Sequence, residues 1–430
     1  MKKFSKVLAL VLALVIVVAA FAACGGNGEG EVTPGNSDAA EEVALLALNP
    51  IAKAEAVVID DSIDFSTVKV GLICLHDENS TYDNNFIQAM KAAQADLGLK
   101  DDQVLIKTNI DESNACYEAA CELADKGCNI IFADSFGHET YIMQAAQEYP
   151  EVQFCHATGT HGNTAGIANF HTAFASIYEG RFLAGVAAGM KLNEMIEAGE
   201  ITAEQAVMGY VGAFPYAEVK SGYTSFYLGA KYICPSVTMK VVYTNSWFDI
   251  AFEKEAAENL IKDGCVLISQ HADSEGAPKA CEAAGVPNVA YNIDTSSIAP
   301  KTAIISSRIN WAPYYKLAIA ATVKGEAFAN DWCGTIATDS VELTALHNAA
   351  DGTAEKIEEI KAQMVAGTFN VFNTEFWTLG GKALTEYAAD VIDEGDYKPE
   401  TNAIENGAFL ESVGRSAPYF DALIDGITEA

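Results

Sequence analysis

Residues 69–108 read KVGLICLHDENSTYDNNFIQAMKAAQADLGLKDDQVLIKT. The run from Lys69 to His76 is apolar without alternation, which predicts a strand buried on both faces. Asn84 to Leu97 spaces its apolar residues as an amphipathic helix and stops at Gly98. Val104 to Thr108 is again a short apolar run. A strand, a helix and a strand of these lengths make one parallel βαβ unit with a right-handed crossover.

The same alternation runs onward. Helix is expected over Glu112–Lys126 and up to Tyr149, with strands at Asn129–Ala133, Val152–His156 and Gly166–Phe170. A long helix is expected over Phe174–Ile196. The pattern then restarts, with strands at Val207–Ala213, Thr238–Thr244, Val266–Gln270, Asn288–Asn292 and Thr302–Ser307. Helices are expected near 217–231, 249–263 and 274–284, and over Trp311–Lys324. The spacing therefore predicts two α/β lobes, at 67–173 and 174–300, with crossover segments and a C-terminal extension over 301–430. This bilobal α/β plan is the architecture of a solute-binding protein.

The chain has 430 residues, with 26 Lys and Arg against 59 Asp and Glu, for a net charge of −33. That balance argues against nucleic-acid polymers, which need a basic stripe, and against electrostatic docking on anionic lipid. At the N-terminus, Lys2, Lys3 and Lys6 precede an unbroken apolar run of 17 residues, Val7 to Ala23. This reads as a secretory signal over residues 1–23. Ala22-Ala23-Cys24-Gly25 resembles a bacterial lipobox, although Phe21 departs from its usual aliphatic residue. Cys24 is the expected lipidation site, anchoring the protein on the extracytoplasmic face of the cell membrane. Losing the three lysines takes the net charge from −33 to −36. Residues 24–66 read as an acidic tether. Ten cysteines less a lipidated one leave an odd number, so they cannot all pair. Cys74, Cys155 and Cys265 sit in apolar strands and read as core.

Ligands of parallel α/β sheets bind beyond the carboxyl ends of the strands. Those ends carry Tyr82, Asp83 and Asn84, then Phe136, in the first lobe. In the second they carry Phe214, Trp247, His271, Asp273 and Asp294. These nine are the candidate ligand-binding residues. Aromatic faces stack on a heterocycle or a sugar, and Asp and Asn read hydroxyls or a polar edge. Neither lobe offers a Lys or Arg cluster, so an uncharged ligand is favoured over an anion. Each residue also has a plainer role open to it. Asp83 or Asn84 suits a cap for the helix that follows, as does Asp249 for a later one. The aromatics suit packing under loops, and His271 suits orienting Asp273. The histidines share no metal-ligand spacing, and no cofactor or catalytic motif is present.

Several segments together resemble the basic membrane protein family: Asn79-Ser-Thr-Tyr-Asp-Asn-Asn-Phe86, Tyr178-Glu-Gly-Arg-Phe-Leu-Ala-Gly185, the Phe214-Pro215 turn, Asn245-Ser-Trp-Phe-Asp249, Gln270-His-Ala-Asp-Ser274 and Asn310-Trp-Ala-Pro-Tyr-Tyr315. The resemblance spans roughly 67–330. These are substrate-binding lipoproteins of ABC transporters, related to purine nucleoside receptors. It implies the type I periplasmic binding protein fold, with two doubly wound parallel-sheet lobes joined by a hinge. It implies a monomer that delivers its ligand to an ABC permease and transforms nothing. Thr81-Tyr82-Asp83-Asn84 stands where nucleoside-binding members carry Ser-Phe-Asn-Gln. Tyr82 and Phe214 would then face the base, with Asp83, Asn84, Asp273 and Asp294 near the cleft. Trp247 and the His271-Ala-Asp273 element look more like a branch that takes nucleobases. Tyr178 to Gly185 is expected to be structural, with Arg181 tying loops. A sugar or polyol ligand, and a surface nucleoside hydrolase, remain alternatives to a purine receptor.

Overall fold

A computed structural model describes residues 59–60, 62–388 and 402–430. The expected signal, Cys24 and almost all of the tether lie outside the described residues. Among the described residues, no helix is long and apolar enough to cross a membrane.

The first lobe is built from β1 (Val70–Ile73), α1 (Thr81–Leu97), β2 (Val104–Lys107), α2 (Asn114–Asp125), β3 (Ile130–Ala133), α3 (Glu139–Glu148), β4 (Gln153–His156) and β5 (Phe170–Ala175). The second follows with α4 (Ile177–Glu197), β6 (Val207–Gly212), α5 (Ala217–Ile233), β7 (Thr238–Tyr243), α6 (Ile250–Lys262), β8 (Leu267–Gln270), α7 (Gly276–Ala284), β9 (Asn288–Tyr291) and β10 (Ala303–Ile309). Then come α8 (Ala312–Lys324), β11 (Asp331–Gly334), β12 (Val341–Leu343), α9 (Thr353–Val365), a short hairpin of β13 (Ile404–Glu405) and β14 (Ala408–Phe409), and β15 (Ile427–Glu429).

One sheet has the strand order β11-β5-β4-β3-β1-β2, and all its pairs are parallel. The other is ordered β12-β10-β9-β8-β6-β7-β15, parallel except that β12 runs against β10. The chain therefore passes between the sheets three times: after β5, after β10 and after β11. The returning α8 packs on α1 of the first lobe, where Trp311 stacks on Phe86 with centroids 4.4 Å apart.

One expected strand is displaced. Gly166–Phe170 is not a strand, and β5 begins at Phe170 and runs through Ala175, where a helix was expected to start. His171 and Thr172 disguise it, because they are polar in a fully buried strand. Their side chains are satisfied there: His171 bonds Gln153 and the Ala329 carbonyl, and Thr172 Oγ1 donates to Asp331 Oδ1 at 3.2 Å. The nine cysteines among the described residues are all free, and eight are buried.

Helices α4 and α5 meet backbone to backbone. A Cβ on Gly185 would lie 2.0 Å from the Phe226 carbonyl oxygen, and one on Gly229 would lie 2.0 Å from that of Phe182. The Tyr178–Gly185 stretch thus has a packing role. Gly185→Ala should force the helices apart and cost at least about 1–3 kcal/mol, read as a lower midpoint in urea. An unchanged midpoint would mean that the helices separate freely.

Candidate functional site

The carboxyl ends of the two sheets flank a partly open cavity. The first lobe contributes Leu75 and His76 after β1, Tyr82 and Asp83 from α1, Ser135 and Phe136 after β3, and Thr158 after β4. The second contributes Glu218 from α5, Trp247 after β7, His271 and Asp273 after β8, and Tyr291 from β9. The lobes meet beside it. Thr81 N donates to the Asp273 carbonyl at 2.8 Å, and the rings of Phe136 and Tyr216 face each other 5.8 Å apart.

The first-lobe wall is organised by the start of α1. Its N-cap is Ser80, whose backbone is extended and whose Oγ accepts from Asp83 N. Asp83 and Asn84 therefore do not cap the helix. Asp83 instead closes the turn after β1, accepting from His76 N at 2.8 Å and from Ser80 Oγ at 2.6 Å. Burial pushes its carboxyl up, but the hydrogen bonds from His76 and Ser80 outweigh that and hold it below its ordinary value. A negative charge thus lines the cavity at neutral pH. Tyr82 beside it donates its hydroxyl to the Asp134 carbonyl at 2.8 Å and leans on Phe86, which fixes the ring.

The second-lobe wall hangs on the turn after β8. Asp273 N donates to the Trp247 carbonyl at 2.9 Å, tying two strand ends together. Asn292 adopts a left-handed backbone, φ 68°, and its amide reaches Asp273 Oδ1 at 3.4 Å. Burial first, then Glu253, Asp83 and Glu218, push the Asp273 carboxyl well above its ordinary range, with Arg181 opposing them. His271 is buried, with Nε2 3.4 Å from Glu218 Oε1 and Nδ1 3.5 Å from the Tyr210 hydroxyl. Burial and then Arg181 push it down to about 4, so the ring is neutral near pH 7.

Six of the nine expected residues therefore meet at one cavity: Tyr82, Asp83, Phe136, Trp247, His271 and Asp273. Three do not line it. Asn84 points along α1, where its Oδ1 accepts from Gln88 one turn on. Phe214 lies behind Trp247, against whose edge it packs at 5.1 Å, and it stacks on Tyr216. Asp294 is two residues past Asn292, on the surface, where it pairs with His347 and caps Ser296 N. Asp249 is a helix cap, accepting from Ala251 N and Phe252 N at the start of α6.

The sequence reading missed His76, Glu218 and Tyr291 among others. Glu218 falls three residues past the Phe214-Pro215 turn, in the first turn of α5, and Tyr291 closes an apolar strand. Both lie just outside the span in which strand ends advertise polar residues.

Among the described residues, one trio brings potential metal ligands together: Cys74, Asp83 and Asp134, within 4.8 Å of one another. Its chemistry opposes a cation. Asp83 already accepts from His76 and Ser80, Asp134 Oδ1 accepts from Leu75 N, and burial pushes the thiol of Cys74 and the carboxyl of Asp134 well up.

Residues 72–374 match the model of the Bmp family, described as PnrA-like ABC transporter substrate-binding proteins. A purine-binding protein of Brucella abortus (strain 2308) is 31% identical over 312 residues, covering 71% of this chain and 83% of that protein. A Haloferax volcanii protein, provisionally named an ABC transporter glucose-binding protein, is 30% identical over 262 residues, covering 61% of this chain and 62% of its own. A solved ABC-transporter solute-binding protein from Conexibacter woesei superposes with a TM-score of 0.57 at 18% identity, over 71% of this chain and 98% of that one. One from Aeropyrum pernix K1 gives 0.58 at 16% identity, over 70% and 92%. These likenesses show the fold, that of the type I periplasmic solute-binding proteins. With two largely parallel sheets joined by three crossings, a cavity between them and a family match over most of its length, this chain belongs to the Bmp family of ABC transporter substrate-binding proteins.

Proposed function

We propose that the protein captures a purine base or nucleoside between its lobes and presents it, chemically unchanged, to an ABC permease. The carrying observation is the lining of the cavity. Flat aromatic faces come from both lobes, Tyr82 and Phe136 opposite Trp247 and Tyr291, with Asp83, Glu218 and Asp273 among them and no Lys or Arg. Such walls sandwich a heteroaromatic ring and accept hydrogen bonds from its N–H groups or from ribose hydroxyls. The similarity to a purine-binding relative supports the same reading. Lobe closure around the ligand, then release on opening, is the expected cycle.

Titration calorimetry with adenine, adenosine, hypoxanthine, guanosine, ribose and glucose tests this. Micromolar or tighter binding of a purine is expected. Binding of ribose or glucose with no purine heat would overturn it in favour of a sugar receptor, the reading suggested by the Haloferax relative and by aromatic walls carrying carboxylates. Unchanged adenosine after long incubation is expected as well, and its cleavage would make the protein a hydrolase.

The N-terminal signal and Cys24 support a lipid-anchored protein on the outer face of the cell membrane. Cys24→Ala should release it from the membrane fraction. Retention of that variant would point to an uncleaved apolar anchor.

A further inference from the structure

Arg181, on α4, is 1% exposed. Its Nη1 donates to the Gln270 carbonyl at 2.8 Å, and its guanidinium carbon lies 3.6 Å from the centroid of the Tyr291 ring. Its Nε and Nη2 meet no acceptor among the described residues, and it forms no ion pair with any of their carboxylates. Removing a charge from water without a direct partner is strongly unfavourable. A carbonyl and an aromatic face offset only part of that. The rest of the compensation comes from where Arg181 sits. Gln270 ends β8 immediately before His271 and Asp273, and Tyr291 lines the cavity. The acids around Asp273 come from three other elements: Asp83 of α1, Glu218 of α5 and Glu253 of α6. His271 beside it is neutral, and Asn292 donates to it. Arg181 is the cation that opposes these acids.

We propose that Arg181 is the internal counter-charge of the ligand cleft, a positioning residue that acts on the ligand through Asp273, Tyr291 and the turn after β8. The role goes beyond tying loops, and it rests on the purine reading given above. Long-range attraction keeps the acid-rich cleft in the ionisation state that binds ligand, while the bond to Gln270 and the stack on Tyr291 hold the floor in place. Without the guanidinium, Asp273 holds its proton to higher pH.

The test is adenine binding by calorimetry between about pH 5 and pH 9, for the wild type, Arg181→Met and Arg181→Lys, with thermal midpoints recorded for each. Arg181→Met should bind at least about tenfold more weakly near pH 7, and its affinity–pH profile should move to higher pH. Arg181→Lys keeps the charge and loses the fork, so its profile should stay in place even where its affinity falls. Wild-type affinity and profile in a folded Arg181→Met would overturn the proposal. A weaker affinity with an unmoved profile would do so too, since packing alone explains it. If Arg181→Met does not fold, Arg181→Lys decides: an unmoved profile supports the counter-charge and a moved one overturns it. A wild-type protein that gives no heat with adenine or any other purine defeats the purine reading first, and this role with it.

Discussion

Trp247→Ala should weaken purine binding by about 1–3 kcal/mol, a loss of roughly five- to 150-fold, with the fold intact. The indole is partly buried, lines the cavity and faces the first-lobe rings across it. Truncation removes one wall of the sandwich and opens the site to water. Only the Trp247 main chain bonds Asp273, so that tie survives the substitution. Phe214→Ala is the contrasting variant. Phe214 touches the Trp247 edge but not the cavity, so its removal should loosen the indole and cost less. Tyr82→Ala should resemble Trp247→Ala, since Tyr82 lines the opposite wall. Calorimetry of the three variants against adenine reads the order directly. Equal and near-wild-type affinities would move the ligand away from these rings.

The order of losses also reflects what a linear sequence can say. Alternating strands and helices were legible because apolar period and glycine stops repeat along the chain. Gly98 and Gly285, for example, do end α1 and α7 in left-handed conformations. The rule that ligands gather at strand ends located the site to within a loop. It could not say which side chain of a loop turns inward. Phe214 and Trp247 are both aromatic and both follow strands, and only the packing of Phe214 against the indole distinguishes the wall from its backing. Asp294 follows β9 as Asp273 follows β8, yet the left-handed Asn292 sends the chain back to the surface. Glu218 was hidden for a different reason. A glutamate in the first turn of a helix is the ordinary complement to the helix dipole, so nothing marks it as part of a cleft.

The C-terminal segment was illegible because its contacts are tertiary. β15 is three residues long and forms the edge of its sheet beside β7, while Ser416 N reaches Asp331 in the other sheet and Glu411 accepts from Ser221 of α5. No periodicity marks a segment that works by reaching both lobes. It also lies past residue 374, where the family match ends.

Glu253→Gln should stabilise the protein near pH 8 and leave it nearly unchanged near pH 4.5. Glu253 is fully buried on α6, where it accepts from Ser274 N at 3.0 Å and from Asp249 N at 3.1 Å. Burial pushes its carboxyl from 4.5 up to about 7, against the pull of those hydrogen bonds. Between these values the folded chain keeps a proton that the unfolded chain has released. Stability from this group is therefore fully present below 4.5, falls as pH rises, and is lost above about 7. At roughly 1.4 kcal/mol per unit, the penalty at pH 8 is on the order of 3–4 kcal/mol. Glutamine keeps an acceptor for Ser274 and removes the charge, so urea midpoints of the variant should flatten with pH. A variant less stable than the wild type at pH 8 would show that the carboxylate is paired in the fold. The same substitution bears on the cleft, because after burial Glu253 is the strongest influence driving the Asp273 carboxyl up. Removing it should move the affinity–pH profile to lower pH, opposite in sign to Arg181→Met. Two substitutions on different helices that displace one profile in opposite directions identify Asp273 as the group being titrated.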